Sequence, residues 1–92
     1  AALNAVQILE KLISHSKFVE DEDAAIYTRK LAKQEGIFAG NSCGAAVKGV
    51  LQLKENFTKD DVVVVLLHDS GSRYIGKIYN DDWMIKNNFS LD

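Results

Sequence analysis

The stretch best suited to chemistry is Gly36-Ile-Phe-Ala-Gly-Asn-Ser-Cys-Gly-Ala-Ala46, a short apolar run that passes through a glycine and two small polar residues into a helical pattern. Gly40 and Gly44 lack the Cβ atoms that would keep a ligand off the backbone, and Asn41 or Ser42 can cap the helix while still facing outward. A helix N-terminus attracts anions and small polar ligands through its dipole and unpaired N–H groups. A strand-to-helix turn with an N-cap and no ligand is the plainer alternative. A second polar stretch, His68-Asp-Ser-Gly-Ser72, follows directly on the apolar residues 62–67. Ligands of open α/β sheets gather at the carboxyl ends of parallel strands. If the two apolar runs are neighbouring strands, Ser42 and the Asp69-Ser70 pair lie on one edge.

The elements that must position these residues follow from periodicity. Residues 3–15 place Val6, Leu9 and Ile13 on one stripe, with Ala5, Ile8 and Leu12 beside it, as in an amphipathic helix. Asp21 is a candidate cap for a second helix whose first turn carries Glu22 and Asp23, and Gly36 ends it. The small residues Ala24, Ala25 and Ala32 let this helix lie close to another element. Residues 37–39 read as a brief strand and 43–56 as a helix with Ala46, Val50, Leu53 and Phe57 along one face. The run Val-Val-Val-Val-Leu-Leu at 62–67 reads as a strand buried on both faces, the habit of parallel sheets. Strand, helix and strand make a right-handed crossover. Residues 73–79 and 81–86 predict two short helices separated near Asn80, with Asp81 and Asp82 as first-turn acids and Trp83 and Met84 as packing residues. The expectation is an α/β fold: a three-layer, partial doubly wound unit whose short parallel two-stranded sheet is flanked by helices. Two strands make a thin sheet, so the pattern reads as one edge of a larger domain.

Composition narrows the function classes. Ninety-two residues, 47% apolar, suit one small domain. Eleven basic against thirteen acidic residues, with no basic cluster, argue against nucleic acid and anionic membrane as partners. The apolar runs are too short to span a bilayer, and no targeting pattern opens the chain, so the expected setting is cytoplasmic. The lone Cys43 forms no internal disulfide; at the first turn of a helix with no basic neighbour in sequence, it reads as a buried small residue rather than a reactive thiol. His15 and His68 lack ligand spacing, and no metal site is expected.

Two separated motifs carry a family resemblance. Glu35-Gly-Ile-Phe-Ala-Gly-Asn-Ser-Cys-Gly-Ala-Ala46, the valine run, and then Asp69-Ser-Gly-Ser-Arg-Tyr-Ile-Gly-Lys-Ile-Tyr-Asn-Asp-Asp-Trp-Met84 resemble, in that order, the C-terminal part of the catalytic domain of cystathionine β-synthase and cysteine synthase. The resemblance covers about residues 18–89. It implies a fold-type II enzyme dependent on pyridoxal phosphate (PLP) that replaces the β-substituent of serine, or of an activated serine, with a thiol. It also implies that residues 1–92 form a single partial domain. The expected partners are the upstream remainder of the catalytic domain, a small amino-acid substrate and, for the parent enzyme, a second copy in a homodimer.

In such enzymes the serine of a Gly-Gly-Ser-x-Gly turn hydrogen-bonds the pyridine nitrogen of the cofactor, and Ser42 matches it. A neutral hydroxyl does not stabilise a protonated ring as a carboxylate does, so the ring is a weaker electron sink, which suits β-elimination and discourages transamination. Gly40, Asn41, Asp69 and Ser70 are the other cofactor-binding candidates. Asn41 stands in place of the second glycine, Cys43 in place of serine or alanine, and His68 where proline is frequent. The Schiff-base lysine, the glycine-rich phosphate cradle and the substrate-carboxylate loop of the family have no counterpart in residues 1–92, so no catalytic residue is assigned and the isolated chain is expected to be inactive. Arg73 and Tyr74 can line the second strand end, although an arginine there is expected to pair with an acid such as Asp69. The competing reading is a stand-alone module that holds a small anion or nucleotide on the Asn41-Ser42 turn.

Overall fold

Two helices, Asp21–Glu35 (α1) and Asn41–Gln52 (α2), pack against each other and form the body of the structure. A computed structural model describes residues 19–91, so the expected helix over 3–15 lies outside the described residues. Asp21 opens α1 but does not cap it. Glu20 occupies the cap position with an extended backbone and no side-chain bond, and the helix start is favoured instead by Asp21, Glu22 and Asp23 against the positive dipole end. Gly36 ends α1 as expected, in the left-handed conformation at φ 69°, while Ala32 and Leu31 carbonyls accept from the N–H groups of Gly36 and Ile37.

The α1–α2 contact is close because its residues are small. Ala24 and Ala25 are buried on α1, and Gly44 faces them from α2. A Cβ at Gly44 would lie 2.1 Å from Thr28 Oγ1, 2.3 Å from the Ala24 carbonyl oxygen and 2.5 Å from Thr28 N. Thr28 is itself fully buried, and its hydroxyl donates to the Ala24 carbonyl at 2.7 Å, so the crossing leaves no unpaired group there. Helix α2 starts two residues before the expected position and ends at Gln52, after which Lys54–Asn56 form a single 3-10 turn.

The expected parallel two-stranded sheet is absent among the described residues. The one β-contact is an isolated antiparallel bridge between Ala39 and Ser70. Residues 62–67 carry no strand hydrogen bonding, and they are not buried on both faces: Val62 is 88% exposed, Val64 86% and Leu66 76%. The physical reason lies in the partner. Around the bridge, the run 37–39 is engaged by the loop after the valine segment, with Gly40 N–H donating to the Asp69 carbonyl at 2.9 Å and Gly71 N–H to the Phe38 carbonyl at 3.1 Å. Residues 62–67 therefore have no ladder to join, and a lone strand is not stable as one.

Beyond the bridge, Gly71–Tyr74 form a 3-10 turn, residues 75–79 continue as turns rather than the expected helix, and Asp81–Lys86 form α3. Asn80 caps α3 by accepting from Trp83 N–H, and Asp81 and Asp82 occupy its first turn. Met84 is fully buried with Ala25 and Ile78, and Ile26, Tyr74, Trp83 and Phe89 close around this small core. Arg29 fixes α1 to the C-terminal segment through an ion pair with Asp81 and a 2.9 Å bond to the Ile78 carbonyl. No helix among the described residues is long and apolar enough to cross a membrane.

Candidate functional site

The two polar loops singled out from the sequence meet in space. The Ala39–Ser70 bridge sets them side by side, and the Gly40–Asp69 backbone bond holds the start of α2 against the second loop. Gly40 is required by this approach, since a Cβ there would lie 2.5 Å from Asp69 Oδ2 and 2.9 Å from the Tyr74 ring. Gly40, rather than Asn41 or Ser42, is the N-cap residue of α2, and no side chain caps this helix. Ser42 is thus the second helical residue, its hydroxyl unused by the backbone. It is exposed, and its Oγ lies 3.1 Å from His68 Nε2. Asn41 is half-buried beside it. The early N–H groups of a helix have no intrahelical acceptor, so Ser42 stands where both a hydroxyl and a positive dipole end face outward.

The second loop is built from bonds among its own residues. Tyr74 Oη donates to Asp69 Oδ2 at 3.0 Å, so the carboxylate takes the tyrosine and not the expected Arg73. That bond, followed by desolvation and the negative charge of Asp69, pushes the Tyr74 phenol above its ordinary value. Ser70 Oγ accepts from Ser72 N–H at 3.3 Å and caps the Gly71–Tyr74 turn, and its own proton stays available to donate. Cys43 is fully buried with its thiol 3.6 Å from the Asp69 carbonyl, in agreement with a small packed residue. Tyr79 donates to the Ala39 carbonyl, and burial raises its phenol too. An open cleft elsewhere, lined by Arg29, Lys30, Lys33, Tyr79 and Asp81, includes none of these loop residues except Tyr79, and its arginine is already paired with Asp81.

Sequence reasoning named Ser42, Gly40, Asn41, Asp69 and Ser70, and the fold brings all five to one place. It passed over the contact between His68 and Ser42. The available signal was positional: His68 is the first polar residue after the valine run and directly precedes the Asp69 that bonds Gly40.

Comparison with known proteins supplies the class. The chain belongs to the pyridoxal-phosphate dependent enzyme family, a fold-type II family whose model matches residues 1–69. Over 68 residues, 74% of the chain, it is 43% identical to N-(2-amino-2-carboxyethyl)-L-glutamate synthase of Ralstonia nicotianae, of which it covers 20%. Over 79 residues, 86% of the chain, it is 38% identical to cystathionine beta-synthase of Dictyostelium discoideum, of which it covers 16%. The chain thus spans a fifth or less of the length of these two relatives. Membership implies an α/β fold and dependence on PLP. The Ser42 hydroxyl is a fitting donor for that cofactor: it is neutral, exposed and not used for capping, as a partner for an uncharged ring nitrogen must be.

Proposed function

We propose that this chain is the C-terminal segment of the catalytic domain of a PLP-dependent β-replacement enzyme, and that it forms the wall of the site facing the pyridine nitrogen. The reaction is condensation of serine, or an activated serine, with a thiol, as in enzymes of the cystathionine β-synthase and cysteine synthase type. When bound, PLP supplies the electron sink for loss of the β-substituent. Ser42 directs its hydroxyl to the ring nitrogen from the first turn of α2, with Asn41 beside it, and Gly40 leaves room for Asp69 and Tyr74 of the second loop. Asp69 and Ser70 contribute by holding the second loop in register with the first. The observation that carries this reading is the exposed Ser42 hydroxyl, which caps nothing because Gly40 takes the cap position.

Residues 1–92 form one partial domain in this reading, and the remainder of the catalytic domain is its first partner. The exposed residues Val62, Val64 and Leu66 support a place for 62–67 as a strand of the complete doubly wound parallel sheet, where neighbours would pair it on both edges. The complete enzyme acts on a small amino acid and works as a homodimer, and the buried free thiol of Cys43 suits a reducing, cytoplasmic setting.

The test is Ser42→Ala in the complete enzyme. Removing the hydroxyl leaves a buried ring nitrogen without its partner, at a cost of roughly 1–3 kcal/mol. The expected result is a weaker cofactor dissociation constant, an altered cofactor absorbance spectrum and slower turnover. Wild-type values for all three would reduce Ser42 to an ordinary surface residue of the helix.

A further inference from the structure

We infer that His68 is a positioning residue for Ser42: its Nε2–H donates to Ser42 Oγ and thereby turns the serine's own proton outward. The inference rests on the reading of Ser42 as the partner of the cofactor's ring nitrogen and adds the group that decides in which sense that bond is made.

The argument starts from what a hydroxyl can do. Ser42 Oγ has one proton to give and two lone pairs to receive with. An uncharged pyridine nitrogen only accepts, so Ser42 must spend its proton there. Its contact with His68 Nε2, at 3.1 Å, must then run the other way, with the imidazole as donor. In the opposite tautomer Nε2 would accept the serine proton, and Ser42 would be left with lone pairs facing a ring nitrogen that has only a lone pair itself. The neutral imidazole carries its proton on one nitrogen at a time, so the choice of tautomer at His68 sets the polarity of the whole relay.

The backbone holds the two side chains in this relation. His68 immediately precedes Asp69, whose carbonyl accepts from Gly40 N–H at 2.9 Å, and Ser42 lies two residues after that same glycine. The pair therefore sits within two residues of a fixed backbone bond on each side, and the Cys43 thiol against the same Asp69 carbonyl adds a second tie between the loops. Both His68 and Ser42 lie toward solvent rather than in the core, so neither is needed to fill it. A role in packing gives no reason for an imidazole at this position; a donor at the distance of Nε2 does.

The experiment uses the complete enzyme with four variants: His68→Leu, His68→Gln, Ser42→Ala and the double variant Ser42→Ala/His68→Leu. PLP is the probe, and the readouts are its dissociation constant, its absorbance spectrum when bound and, in the wild type, the His68 tautomer from nitrogen-15 NMR. The expected tautomer carries its proton on Nε2. Leucine keeps the bulk but removes the donor, and should weaken PLP binding by about three- to tenfold, the scale of one net hydrogen bond, with a shift in the absorbance spectrum. Glutamine places an amide N–H near the position of Nε2 and should restore the dissociation constant to within about twofold of wild type. In the Ser42→Ala background His68→Leu should change nothing further, because the group it positions is gone. Ser42→Ala weakening PLP while His68→Leu binds as wild type would overturn the role of His68 and leave that of Ser42 intact. An Nδ1–H tautomer, or a His68→Leu effect that persists undiminished without Ser42, would overturn the role of His68 in the same way. An unchanged dissociation constant and spectrum in Ser42→Ala would instead overturn the reading of Ser42 itself, and the proposal for His68 with it.

Discussion

Single atoms decide the geometry of this site. Gly44 is the clearest case, because an added Cβ would meet backbone atoms of Ala24 and Thr28 as well as the threonine hydroxyl. Gly44→Ala is expected to destabilise the chain by roughly 1–3 kcal/mol, the range for overpacking a filled contact. Chemical denaturation would measure it, and Thr28→Ala should fail to rescue the variant because the carbonyl at 2.3 Å and the amide nitrogen at 2.5 Å remain. Tyr74 yields a pH dependence of definite sign. Its phenol is raised in the folded chain by the bond to Asp69, so the neutral form is the one folding favours. The unfolded chain therefore loses this proton first, near the ordinary tyrosine value of about 10. The contribution is complete below that pH and is lost as pH rises through the folded value. Unfolding curves of the wild type and Tyr74→Phe should thus differ in slope above pH about 10, and a parallel pair would contradict the bond. Cys43, by contrast, is fully buried, and its thiol is not offered to solvent for reaction.

At the scale of the element, the helix ends show how weakly cap chemistry discriminates when several candidates stand together. Asp21, Asn41 and Ser42 are all good cap types, yet Glu20 and Gly40 hold the cap positions of α1 and α2. For α2 the reason is the bond from Gly40 N–H to Asp69, which fixes an extended backbone at Gly40 and makes Asn41 the first helical residue. Asn80 caps α3 in the ordinary way, its side chain accepting from Trp83 N–H. Helix α3 has 6 residues, too few to be stable alone, and depends on that cap and on the burial of Met84. Asn80→Ala is expected to cost about 1 kcal/mol. Hydrogen exchange should place the loss in Asp81–Lys86, while α1 and α2 keep their protection; uniform loss across all three helices would argue against a local cap.

Across the described residues as a whole, the helical pair and the small Met84 core form the packed part, and the valine run 62–67 is largely exposed outside it. Such an exposed apolar run, with no strand partner among the described residues, favours association with other chains. The isolated chain is therefore expected to self-associate as concentration rises, and Val64→Lys should reduce this, as read by sedimentation velocity; a monomer at all concentrations, with or without the lysine, would show that the run is harmless. Much was legible from the chain by itself. Local chemistry marked Gly36 as a helix end, the small residues of α1 as a close-packing face, Met84 as core and Ser42 as an outward hydroxyl, because each depends on neighbours within a few positions. Two motifs in fixed order also carried the family, since the residue types and spacing of a motif are written into the sequence directly. The pairing of the valine run was not legible in the same way. Val, Ile and Leu in sequence state that a segment is suited to a sheet, but a strand exists only through hydrogen bonds to another segment, and here the loop at 69–71 occupies the run 37–39. The tertiary structure alone decided that Gly40 rather than Ser42 caps α2, that Asp69 takes Tyr74 rather than Arg73, and that His68 meets Ser42, because each outcome was set by which backbone and side-chain groups the folded loops bring within reach of one another.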